Sequence, residues 1–157
     1  MMYRYLIMLK ILVLIGVTAQ AQEVKVDKPF PRGLDKGLVF NMLLEGFLDR
    51  FTDAEFIEEN SFRKVYKMIP YLKDIKEVYL YFDKDGEEPL YEMIFVFHET
   101  EKAKETALKL YGSPNYNDTE WRMKYKYLTL WSWIYKNKMV LVGNSYNSNH
   151  EWTDSFN

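Results

Sequence analysis

The chain of 157 residues carries two histidines, no cysteine and many aromatic rings: 13 Tyr, 10 Phe and 4 Trp. Without cysteine there is no disulfide, no thiolate metal site and no thiol nucleophile. His98 ends an apolar run beside Glu99 and Glu101, and His150 lies in the polar run His150-Glu151-Trp152-Thr153-Asp154. A metal centre needs several ligands at a spacing that lets them converge, and neither histidine has a second one four residues on. Both are expected at the surface, His98 at a strand end and His150 in a tail. Asp83, Asp85, Glu87 and Glu88 could offer oxygen ligands to a hard cation. Their order lacks the glycine at position six and the glutamate at position twelve of a helix-loop-helix calcium site, and an Asp-Gly hairpin turn accounts for them. There is no Gly-x-Ser-x-Gly, no Gly-x-Gly-x-x-Gly and no phosphate-loop lysine. Paired-carboxylate hydrolysis could use any two of many acids, and the spacing does not choose between them. No catalytic residue, no metal and no cofactor is expected.

The aromatic residues are the stronger signal. Many fall in stretches that alternate as strands do: Tyr79, Tyr81, Tyr91, Trp121, Tyr125, Tyr127, Trp131, Trp133 and Tyr135. Tyr and Trp join a flat apolar face to a polar tip, which suits a half-wet surface that grips a partner. The same side chains also favour strands for packing alone. The candidate ligand-binding residues are Tyr125, Tyr127, Trp131, Trp133 and Tyr135. From Trp121 to Tyr135 the aromatics share one parity. The opposite parity carries Arg122, Lys124 and Lys126, then Leu128, Leu130 and Ile134. The buried side is thus expected to switch near Tyr127 through a bulge or bend, leaving Trp131, Trp133 and Tyr135 on the open side.

The elements that must position these residues begin after an address. Residues 1–21 have Arg4 and Lys10, an apolar run from Ile11 to Val17, and Ala19-Gln20-Ala21 before Gln22. This is the pattern of a secretory signal peptide cut after Ala21, and the run is too short to span a bilayer. Removing Arg4 and Lys10 takes 21 cations to 19 against 23 acids, a charge of −4. That balance argues against a nucleic-acid partner. Residues 22–34 read as a flexible lead-in, 35–146 as one domain and 147–157 as a polar tail that frays.

Leu38, Val39, Met42, Leu43, Phe47 and Phe51 recur at helical spacing, with Asp35 as the N-cap. Thr52-Asp53-Ala54-Glu55 fits a capping box that opens a second short helix carrying Phe56 and Ile57, and Phe62, Val65, Tyr66 and Ile69 fit a third helix capped by Ser61 and stopped by Pro70. The period then becomes two. Val78–Phe82 and Leu90–His98 read as strands, Thr100–Tyr111 as a helix stopped at Gly112, Trp121–Tyr135 as one bent strand or two, and Met139–Val142 as the last strand. The expected fold class is α+β: N-terminal helices followed by a β-β-α-β-β antiparallel sheet with helices packed on one face.

The short signal with its Ala-Gln-Ala exit resembles those of exported proteins of Gram-negative bacteria. The stretch from Leu108 to Trp133 resembles small exported bacterial domains, a resemblance that implies no activity. The expectation is an exported, non-enzymatic binding domain, periplasmic or secreted and not embedded in the membrane in its mature form. Its partner would be a protein, peptide or glycan of the cell envelope. A periplasmic immunity or inhibitor protein and a small hydrolase are the alternatives.

Overall fold

The computed structural model describes residues 24–34, 36–144 and 149–156. The expected signal peptide and the Asp35 N-cap lie outside the described residues. In chain order the elements are β1 (Val24–Lys25), α1 (Leu44–Arg50), β2 (Glu55–Glu59), β3 (Arg63–Met68), β4 (Ile75–Asp83) and β5 (Leu90–Phe97). There follow α2 (Thr100–Tyr111), β6 (Glu120–Tyr125), β7 (Leu128–Tyr135), β8 (Lys138–Asn144) and a 3-10 turn at Thr153–Phe156. The class is α+β. The strands form one sheet in the order β1-β6-β7-β8-β5-β4-β3-β2, antiparallel throughout except for the short β1–β6 pair. Among the described residues no helix is long and apolar enough to cross a membrane.

The N-terminal helices are the main correction. The first is confined to Leu44–Arg50, because residues 41–43 run beside β5 instead. Asn41 N–H donates to Leu90 O, Leu90 N–H donates to Met42 O, and Asn41 takes a φ of 62°. The second and third are strands β2 and β3. Phe62, Val65, Tyr66 and Ile69 have helical spacing, but Val65 and Tyr66 also fit a strand with one residue on each side, and the ladder to β4 decides it. Ser61 caps nothing. Asn60 makes the β2–β3 turn instead, its Oδ1 accepting from Phe62 N at 2.8 Å and Arg63 N at 3.0 Å.

One face of the sheet is the core. Leu80, Phe82, Met93, Phe95, Met123, Leu130, Met139 and Leu141 lie on it and are fully buried. Both helices cover that face: Leu44 and Phe47 from α1, and Ala103, Ala107 and Tyr111 from α2. Phe30, Leu34, Leu38 and Phe40 from the lead-in and the loop after it complete the layer. Gly143 on β8 gives Phe40 its seat, since a Cβ there would meet the ring at 2.7 Å.

The expected switch of buried side occurs at Lys126-Tyr127, which form the turn of the β6–β7 hairpin with Lys126 at a φ of 54°. On β6 the odd residues Trp121 and Met123 face the core, whereas on β7 the even residues Leu128, Leu130 and Ser132 do. The odd aromatics of β7 consequently point to the second face.

Candidate functional site

The register lays out the second face row by row. One row runs Arg122, Trp131, Val142, Glu92, Tyr81 and Val65 across β6, β7, β8, β5, β4 and β3. The next runs Glu120, Trp133, Val140, Ile94, Tyr79 and Lys67 across the same strands. Between Tyr81 and Phe82 the register slips, so that β5 spends one more residue than β4. Tyr91 is that extra residue, and this bulge brings it into the second-face cluster beside Glu92.

The first row is covered. Residues 149–156 form a strap across it rather than a fraying tail. His150 stacks on Tyr91 with ring centroids 4.6 Å apart, and its Nε2 lies 3.1 Å from Gly143 O. Burial lowers the His150 pKa, which favours the neutral ring. Nε2–H then donates to Gly143 O, and Nδ1 accepts from Trp152 N at 3.2 Å. His150 is 8% exposed, contrary to the surface location expected for it, while His98 is exposed.

The Trp152 ring sits edge-on to Trp131 and Trp133, at centroid distances of 5.7 and 5.4 Å. Its Nε1–H donates to Glu92 Oε2 at 2.8 Å. Glu92 is 3% exposed, and burial pushes its pKa up to about 7. Glu151 Oε1 accepts from Tyr91 OH at 2.6 Å and from Arg63 Nη1 at 2.8 Å. Burial and the bond to Glu151 both raise the Tyr91 pKa, so the phenol keeps its proton. At the far end the Arg122 guanidinium lies 3.9 Å over the Trp131 ring and 5.3 Å from the centre of Phe156, and Nη2 donates to Ser155 O at 3.0 Å.

The five sequence-predicted binding residues divide. Tyr125 packs against the first-face core, because the hairpin turn puts it on the opposite side from the β7 aromatics. Tyr127 stands at the turn and is 64% exposed. Trp131 lies beneath the strap, half-buried, with Nε1–H on Glu120 Oε2 at 2.7 Å. Trp133 meets the Trp152 ring of the strap and is half-buried, and Tyr135, two residues further along β7, is exposed. With half-buried Ile94 and Tyr79 they make a partly open strip. Sequence reasoning missed Arg63, Glu92, Glu151 and Trp152 and named Tyr91 only among the strand aromatics. The one available signal was Glu92, a lone charge in the apolar run Leu-Tyr-Glu-Met-Ile-Phe-Val-Phe.

Two other places were candidates. The Asp83–Glu88 turn is a hairpin turn in which Asp83 Oδ1 accepts from Asp85 N at 2.9 Å. Among the described residues no three His, Asp or Glu side chains converge as metal ligands would. A cleft of about 350 Å3 opens beside Phe51, Met68 and Leu72, with Ile69 and Tyr71 exposed at its rim. The Arg50 guanidinium that borders it donates to Gly37 O at 2.9 Å. No protein-family model matches the chain, and no curated protein or solved structure shows significant similarity to it.

Proposed function

We propose that this chain is an exported, non-enzymatic binding module that holds a protein, peptide or glycan of the cell envelope on the second face of its sheet. One observation carries the reading: Trp133, Tyr135, Ile94 and Tyr79 form a partly open strip on the second face, while both helices pack over the core of the first. Rings with polar tips bind at such half-wet surfaces because each adds contact area at little cost in side-chain entropy. The non-enzymatic part draws on how the perturbed groups are used. Glu92 and Tyr91 bond to groups of the strap, and His150, itself part of the strap, ties it to Gly143 O. Export draws on the charge, apolar run and Ala-Gln-Ala exit of residues 1–21.

The test is to probe peptide and glycan arrays with the full chain and with Tyr135→Ala. Ligands retained by the parent are expected to bind the variant at least tenfold more weakly, with the melting temperature unchanged. Full affinity in the variant, or no ligand retained by either protein, would overturn the reading.

A further inference from the structure

The strap occupies a slot whose chemistry is specific. Its floor is Val140 and Val142, with Tyr91 at one end and Trp131 and Trp133 at the other. A buried carboxylate, Glu92, lies between them, and an arginine stands beyond each end, Arg63 on β3 and Arg122 on β6. Each feature meets one group of the strap: Arg63 and Tyr91 meet the Glu151 carboxylate, Glu92 the Trp152 indole N–H, and Arg122 the Ser155 carbonyl.

We propose that this slot is a peptide-recognition site, held in cis by the chain's own strap, whose incoming ligand is a segment bearing a carboxylate followed directly by a tryptophan. The proposal rests on reading the second face as a binding surface and names the chemistry of what binds there.

Selectivity follows from the buried acceptor. A phenylalanine in the indole seat fills similar space but leaves the Glu92 carboxylate without its donor, and an unpaired buried acceptor costs far more than the lost contact. The carboxylate end is an incomplete match to the strap. Glu151 presents a single oxygen, Oε1, to Arg63 Nη1, Arg63 Nη2 turns to Glu58, and Arg63 Nε is buried with no hydrogen-bond partner among the described residues. An incoming carboxylate free to dock with both oxygens on the guanidinium fork would satisfy it better. The strap competes from a tether, at an effective concentration on the order of millimolar, so a ligand in trans binds weakly until the strap is loosened.

The experiment titrates a fluorescein-labelled peptide of residues 149–156, Asn-His-Glu-Trp-Thr-Asp-Ser-Phe, with the full chain and reads anisotropy. Trp152→Ala vacates the indole seat, and the variant is expected to bind the peptide at least tenfold more tightly than the parent. A peptide with phenylalanine in place of the tryptophan is expected to lose at least tenfold. Adding Glu92→Leu to Trp152→Ala should abolish the difference between the two peptides. Phe156→Ala, which frees only the far end of the strap, is the second variant and should show a smaller gain. The proposal is overturned if both variants melt cooperatively and bind no better than the parent, or if the two peptides bind alike. It is equally overturned if both variants lose cooperative melting, because the strap is then an obligatory part of the fold. Tyr135→Ala separates this proposal from the broader reading, since Tyr135 belongs to the open strip and, among the described residues, has no contact with the slot, and it should leave the peptide isotherm unchanged.

Discussion

The two faces of the sheet meet their polar groups in different ways. On the first face Ser132 is fully buried and its Oγ donates to Val140 O at 2.8 Å, and the Tyr111 hydroxyl donates to Pro29 O at 2.6 Å. Those partners are backbone carbonyls that the fold supplies in any event. On the second face the Glu92 carboxyl, the Tyr91 phenol and the Arg122 guanidinium are satisfied by the side chains and backbone of eight residues near the C-terminus. The first face therefore stabilises the domain unconditionally, and the second stabilises it only while something lies on it. A face of the second kind is what a binding protein requires, because its groups need a partner that can be exchanged.

The sharpest way to break this contrast is to hollow out the first face. Phe47 packs against Phe51 and Phe82 with ring centroids 5.1 Å away in each pair. Phe47→Ala is expected to lose about 3–5 kcal/mol in urea unfolding, more than any single change on the second face. Next comes the acidity of Glu92. Its pKa is raised from 4.5 to about 7, so the fold favours the protonated form. That contribution is present in full below pH 4.5 and is lost as pH rises through about 7. It amounts to at most about 3 kcal/mol at 1.36 kcal/mol per unit. His150, with its lowered pKa, acts in the opposite sense, stabilising above its ordinary value and losing that as pH falls. The two partly cancel in the parent protein. The difference in stability between parent and Glu92→Gln is therefore the quantity to follow, and it should shift against the parent between pH 4.5 and 8. A flat difference would mean that Glu92 is solvated in solution.

Smaller again is Gly143→Ala. A methyl group there meets the Phe40 ring, and overpacking of this kind costs about 1–3 kcal/mol. The carbonyl of Gly143 also receives the His150 ring, so this residue joins the two faces, and the variant should loosen the strap as well, read as faster proteolysis near the C-terminus. Tyr135→Ala should change stability by less than about 0.5 kcal/mol, since a ring that is 58% exposed adds little to the core.

The C-terminal half of the fold was readable because its local signals agree with its contacts. Ala103, Ala107 and Tyr111 keep strict helical spacing, Gly112 ends the helix at a φ of 78°, and Asn137 lies in the turn between β7 and β8. The N-terminal third was misread because its spacing is ambiguous. Val65 and Tyr66 suit either element, and the outcome depends on β4, whose partnership no local window contains. The aromatics of β7 were legible as a set, with the switch of sides foreseen near Tyr127. Their cover was not, because Trp152 and His150 look like solvated residues until Glu92 and Tyr91 are seen beneath them.

The extra residue in β5 has a further meaning. Leu90 and Met93 face the core on either side of it, and Glu92 alone would suffice to keep inward and outward positions in step. Tyr91 is thus an insert that the hydrogen-bonded ladder does not need. Excising it would leave the barricade of apolar side chains in phase while stripping Glu151 of its phenol, so this one position can be subtracted from the surface without being subtracted from the scaffold.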